Sequence, residues 1–288
     1  MAISRHQLVK ELEPGLNALF GLEYKRYDNQ HAEIYTSESS DRAFEEEVML
    51  SGFGNASVKS EGSGVAFDNA QESYSARYTH ETVALAFAIT EEAIEDNLYD
   101  RISSRYTKAL ARSMSNTKQV KAAAPLNNGL PSVDGFDSGD GVSLFNTAHT
   151  TVSGTNVKNT LTTQADLNET SLEQAMIDIA AMTDERGLRI AAKAVKMIVP
   201  SANQFAAERL MKSQGRTGTA DNDINALGSM GMIPQGYRVN NFLTDTDSFY
   251  IITDVPNGMK MFTRAPLTTA MEGDFDTGNV RYKARERY

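Results

Sequence analysis

The chain has 288 residues, a formal net charge of −10, no cysteine and no tryptophan. That length buries a sizeable core in one large domain or two smaller ones, and the missing cysteines exclude disulfide staples, thiolate zinc sites and cysteine nucleophiles. No stretch has the apolar length of a membrane span, Met1–Lys10 lacks the apolar run of a secretion signal, and the interspersed charges offer no concentrated cationic face for gripping nucleic acid.

Residues 1–30 mix apolar and charged positions around Pro14 and Gly15 and read as a short helix followed by an extended arm. Between Asp41 and Leu50, the spacing of Phe44, Val48 and Met49 predicts a helix that ends at Gly52-Phe53-Gly54. Glycine, serine and asparagine then dominate as far as Asn69, the composition of a pliable loop tip. Tyr74, Ala76 and Tyr78 alternate with polar residues, and Val83, Leu85, Phe87 and Ile89 with small ones, as in a hairpin arm with one apolar face.

Thr90 is a good N-cap, and Glu91 and Glu92 suit the positive end of a helix dipole. Ile94, Leu98, Ile102, Tyr106, Leu110 and Met114 recur every four residues, predicting a helix from Glu91 to Ala124, roughly 50 Å long, that Pro125 stops. Its other face carries Arg101, Arg105, Lys108, Arg112 and Lys118. A long tongue hinged on a long rod suits a protein that reaches over its neighbours.

Residues 125–165 form a polar stretch with turn signals at Asn128-Gly129, Asp134-Gly135 and Asp140-Gly141. Thr170-Ser171-Leu172-Glu173 reads as a capping box opening a helix that Gly187 ends. Ala194–Val199 is a short buried strand, and Pro200-Ser201 starts a helix running to Gly215. The remainder is β-rich, with strands at Tyr237–Phe242, Phe249–Thr253, Lys260–Thr263 and Val280–Arg287.

Residues suited to chemistry are sparse. His6, His31, His80 and His149 have no metal-ligand spacing and read as surface or packing residues. Asp221, Asp223 and Asn225 start like a calcium loop, but Ala226 and Met232 stand where glycine and the bidentate glutamate belong. Ser115-Asn116-Thr117-Lys118 lacks the companion motifs of a Ser-x-x-Lys enzyme, and there is no phosphate loop, dinucleotide fingerprint or nucleophile elbow. No catalytic, cofactor or metal residue emerges.

The order of arm, glycine-rich tongue, long helix, polar loop, capped helix and strand-plus-helix resembles the major capsid proteins of tailed bacteriophages, of the Hong Kong 97-type fold. The segments that carry the resemblance are Lys193-Ala194-Val195-Lys196-Met197-Ile198-Val199-Pro200 with Phe205-Ala206-Ala207-Glu208-Arg209-Leu210, then Leu144-Phe145-Asn146-Thr147-Ala148-His149, and the final strand Asn279–Arg287. The resemblance implies an α+β capsid fold with an N-terminal arm and leading helix (1–50), an extended β-hairpin loop (51–89), a spine helix and peripheral domain (90–165), an axial domain (166–270) and a return strand (271–288). It further implies a structural protein, not an enzyme, that self-assembles as pentamers and hexamers into an icosahedral head. The head is built in the host cytoplasm with a separate scaffolding chain, a portal and a decoration protein, and it encloses double-stranded DNA.

Inter-subunit contacts are expected at Phe53, Lys59, Phe67, Tyr74, Arg77, Tyr78, Arg101, Arg105 and Arg112. Lys59 lies in the segment that some relatives cross-link to an asparagine, although a loop lysine also serves simply as a solubilising charge. Two other readings stay open. An encapsulin-like nanocompartment would share the fold and carry protein cargo, and a hydrolase or adhesin would show a deep polar pocket.

Overall fold

The computed structural model describes residues 5–90, 92–93, 99–216, 223–274 and 277–288, with side chains from residue 13 onward except those of 94–102. In chain order the elements are α1 (Arg5–Arg26), β1 (Thr36–Ser39), β2 (Phe44–Leu50), β3 (Glu72–Thr79), β4 (Thr82–Ile89), α2 (Tyr99–Asn127), β5 (His149–Thr150) and β6 (Asn156–Val157). They continue with α3 (Glu169–Ala181), β7 (Ala194–Val199), α4 (Gln204–Lys212), α5 (Ala226–Met230), β8 (Tyr237–Val239), β9 (Tyr250–Thr253), β10 (Lys260–Thr263), β11 (Ala265–Gly273) and β12 (Val280–Arg287). The chain divides into two compact units, one of residues 1–45, 78–122 and 259–288, the other of 46–77 and 123–258.

In the first unit, β12 lies between β11 and β4 in an antiparallel sheet, and β1 pairs in parallel with β10. Successive residues of a strand face opposite sides. Val280, Tyr282, Ala284 and Glu286 therefore all point inward, where they are buried. Tyr282 and Ala284 pack against Leu16 and Phe20 of α1 and Leu110, Ala111 and Met114 of α2. The fourth inward position is a carboxylate. Glu286 Oε2 accepts from Lys118 Nζ at 3.2 Å and from the Tyr24 hydroxyl at 3.4 Å, and the Lys118 ammonium also lies 5.1 Å from the Tyr288 ring centre. Burial, reinforced by the Glu286 charge, pushes the phenols of Tyr24 and Tyr288 well above their usual range.

In the second unit, β7 is the central strand, parallel to β8 and antiparallel to β9. Met197 and Val199 pack with Leu172, Met176 and Ile179 of α3 and with Ala207 of α4. Asn225 caps α5 through Gly228 N–H and donates to the Leu210 and Ser213 carbonyls, fixing the end of α4. The triplet that resembled a calcium loop thus contributes a cap. Its Asp221 lies outside the described residues.

Several expectations need correction. The N-terminal segment is a 22-residue helix through Pro14. Leu16, Phe20 and Tyr24 lie four apart on its packed face, and that burial outweighs the poor helix propensity of Pro14 and Gly15. Phe44–Leu50 is a strand paired with β3, because a segment of under three turns cannot sustain a helix alone, whereas the ladder satisfies its backbone. Helix α2 runs through Pro125 to Asn127. Gly129 fixes the path of the chain as it leaves the helix, since any Cβ there would lie 2.7 Å from the Phe145 ring and from the Pro125 carbonyl oxygen. The cap of α3 is Asn168 with Ser171, two residues ahead of the predicted box, and that helix ends at Ala181, before Gly187. Finally, a four-residue step advances about 40° beyond a full turn, so the apolar stripe on α2 drifts. Leu110 and Met114 are buried while Tyr106 is 53% exposed, and Ser103 and Thr107 take its place inside.

Candidate assembly surface

The tongue is built from a shaft and a tip. In the shaft β2 pairs with β3, and Arg77 Nη2 donates to Glu46 Oε1 at 2.9 Å across the two strands. Ser51 closes the shaft, since its N–H donates to the Gln71 carbonyl at 2.8 Å and its Oγ accepts the Gln71 N–H at 2.9 Å. Beyond it the tip has no core. Phe53 is 62% exposed, Val58 97%, Val65 69% and Phe67 98%. Apolar side chains standing free in one stretch mark a surface that another molecule covers.

Tyr74, expected at an inter-subunit contact, has partners within its own unit. Its hydroxyl donates to the Thr150 carbonyl at 2.5 Å, and Gly139 approaches its Cβ so closely that an added methyl would sit 3.0 Å away. The two segments that cradle it are joined by a hydrogen bond between Asp140 Oδ2 and His149 Nδ1 at 2.8 Å. Burial opposes the Asp140 charge, but the His149 hydrogen bond and the Val142 N–H outweigh it and hold the carboxyl below its usual range. In the first unit, Tyr78 packs against the Phe262 ring with centroids 5.0 Å apart. Lys59 is exposed on the tip, and Arg105 and Arg112 stand exposed on α2. The Arg101 side chain lies outside the described residues.

Among the described residues every sheet has two or three strands, so each ends in edges with unpaired backbone groups. Ile177 of α3, Phe205 of α4 and Met230 of α5 add exposed apolar side chains to the second unit.

The residue types of catalysis do meet at one place, the root of the tongue. Ser40 Oγ donates to Glu45 Oε1 at 2.7 Å and lies 2.9 Å from His80 Nε2. The single hydroxyl hydrogen goes to Glu45 and not to the imidazole, so the carboxylate orients the serine instead of the histidine. The cluster, with Ser40 only 4% exposed, is a structural clasp. His31 is likewise buried, its Nδ1 accepting from Gln119 Nε2 at 2.9 Å, and no group of three or more potential metal ligands occurs among the described residues. His6 has no described side chain.

Residues 73–288 match the family model described as phage capsid protein. The chain belongs to that family. No curated protein sequence matches it. Among solved structures, this capsid protein is similar to the bacteriophage JBD30 capsid, with a TM-score of 0.55 and 12% identity over 76% of this chain and 92% of that one. The capsid of the same phage decorated with minor capsid protein trimers gives 0.55 and 11% over the same shares. A virus-like particle from Pyrococcus furiosus aligns at 0.48 and 10%, over 94% of this chain and 91% of that one. The α+β capsid fold expected from the sequence is therefore the fold found, and this is a structural capsid protein and a virion component, not an enzyme.

Two contacts of this surface were invisible in the sequence, the Asp140–His149 pair and an ion pair between Asp68 and Arg186. Each joins residues with no shared local pattern. The only available hints were the glycines beside them, Gly139 and Gly187, which local reading assigns merely to turns.

Proposed function

We propose that this capsid protein forms the icosahedral shell as pentamers and hexamers of itself around packaged double-stranded DNA. The observation that carries the proposal is the coreless tip of the tongue. Each phenylalanine there would contribute about 2 kcal/mol if a neighbour covered it, and both rings stand mostly in solvent. In this reading 1–50 is the arm and leading helix, 51–89 lies on a neighbouring subunit and 90–165 forms the spine and peripheral domain. Residues 166–270 meet their copies around the five-fold and six-fold axes, and 271–288 return to the periphery. Assembly takes place in the host cytoplasm with a separate scaffolding protein, a portal and a decoration protein.

The net charge of −10 suits a wall that encloses DNA without pinning it, because strong phosphate contacts would impede packing and release. The test is to replace residues 55–70 by a tight turn. The shortened chain should melt like the parent yet form no particles in negative-stain microscopy, whereas the parent gives shells, tubes or sheets. A parent that stays a monomer of 31.5 kDa at high concentration, with and without scaffold, would overturn the reading, as would unfolding of the shortened chain.

A further inference from the structure

The tip of the tongue and the turn after α3 are each built without the other. In the tip, Asp68 Oδ2 accepts the Gly54 N–H at 2.7 Å and Oδ1 accepts the Asn69 N–H at 2.9 Å, so residues of the tongue alone fix this carboxylate. In the turn, Asp184 Oδ1 accepts the N–H groups of Arg186 at 2.9 Å and Leu188 at 2.7 Å. Gly187 adopts φ +83° there, and a bridge between Thr183 and Arg189 closes the loop. Residues 183–189 therefore present Arg186 by themselves.

The two preformed halves meet through charge. Arg186 Nη2 donates to Asp68 Oδ1 at 2.8 Å and to Oδ2 at 3.0 Å. The Gly54 and Asn69 N–H groups and the guanidinium together hold the Asp68 carboxyl below its usual range. Beside this contact the apolar residues gain nothing, since Phe67 is 98% exposed and Phe53 62%. An ion pair this open to water contributes little to stability. Its worth is in register, because it sets where a tongue tip lands.

A carboxylate and its receptor that are each complete alone can be supplied by different copies at no cost to either half, as in domain exchange. Phe53 and Phe67 still stand in solvent when the pair is made within one chain, and a tip that lands on a neighbour brings both rings to that neighbour's surface. We propose that the Arg186 turn is the receptor for Asp68 of a second copy of this chain, so that the pair seen within one subunit is made between subunits in the particle. This rests on the shell reading above, and deepens it by naming the contact that fixes the tongue's landing point.

The absence of cysteine makes the test clean. Chains carrying Asp68→Cys alone and Arg186→Cys alone are mixed, assembled and treated with a short bis-maleimide, which spans the gap left by an arginine's length. A covalent dimer whose digest contains the 68–186 linked peptide is expected, and pairing within one chain cannot produce it. Charge reversal gives a second readout that needs no cross-link. Asp68→Arg and Arg186→Asp should each lower particle yield several-fold, and co-expressing the two chains should restore a large part, because a reversed tongue then finds a reversed turn on its neighbour. If microscopy shows particles but no linked peptide forms, and only the doubly reversed chain recovers yield, the pair is internal and the proposal falls while the shell reading stands. If the parent chain makes no particles, both fall.

Discussion

Replacing Lys118 by methionine would isolate the buried charge pair of the core around β12. Glu286 is 3% exposed at its side chain and Lys118 18%, and Glu286 Oε1 is buried with no hydrogen-bond partner among the described residues. Without the ammonium the carboxylate would keep, among the described residues, only the 3.4 Å contact from Tyr24. Breaking a buried pair by removing one partner costs about 3–5 kcal/mol, and the partial exposure of Lys118 places this case near the lower end, at about 3 kcal/mol. In a chain of this size that lowers the melting temperature by roughly 6–9 °C. Glu286→Gln should cost less, since the lysine stem can carry its charge to water. The double variant should be more stable than Lys118→Met alone, with a coupling of at least about 1 kcal/mol. Urea denaturation of the unassembled subunit measures all three. A cost below about 1 kcal/mol for Lys118→Met, or strict additivity, would show that water already solvates Glu286 and refute the argument.

Leu110→Ala removes a side chain that is 4% exposed between α1 and β12 and should cost about 3 kcal/mol in the same assay. Charge reversal at Arg105 or Arg112, both exposed, should change subunit stability by under about 0.5 kcal/mol while making particle formation salt-dependent, as read by light scattering across a salt series. Gly129→Ala should destabilise by about 2 kcal/mol through the clash with the Phe145 ring and the Pro125 carbonyl, measured by thermal melting. Burial, and then the Lys118 charge, lower the His31 pKa against the opposing Gln119 hydrogen bond, so the native state favours the neutral ring. The unfolded chain takes up that proton near the ordinary value of about 6.5, so His31 lends stability above pH ~6.5 that is lost as the pH falls towards the depressed native value. His31→Gln should flatten the stability profile in that window, and an unchanged profile would mean that the ring titrates freely.

Local pattern carried much of the architecture. Val280–Arg287 and Lys260–Thr263 coincide with β12 and β10, because alternation over a half-buried strand and flanking turn residues are both local signals. β11 went unseen since Pro266 breaks its pattern, and the strand tolerates proline because it lies at a sheet edge. The Asn168-Glu169-Thr170-Ser171 run offers several caps in succession, and only packing selects Asn168. The site was less legible. Asp68 and Arg186 are 118 positions apart and Lys118 and Glu286 are 168, and no window of sequence joins such partners. The coreless tip, by contrast, was readable from composition, since glycine and serine with isolated phenylalanines cannot bury what they carry.

The placement of β12 has a consequence in time. It is the middle strand of its sheet, and its partner β4 is synthesised almost two-thirds of the chain earlier. While the ribosome delivers the intervening residues, the edge of β4 that β12 will cover has no mate, and the unit formed by 1–45, 78–122 and 259–288 stays open. Such distant pairing is slow to form. The delay works as a completeness check, because a nascent chain lacking residues 280–287 has neither the Tyr282 core nor the Glu286 anchor for α1 and α2. Products that stop short of β12 would be poor building blocks, and each subunit would reach its assembling form only after residues 280–287 have been made.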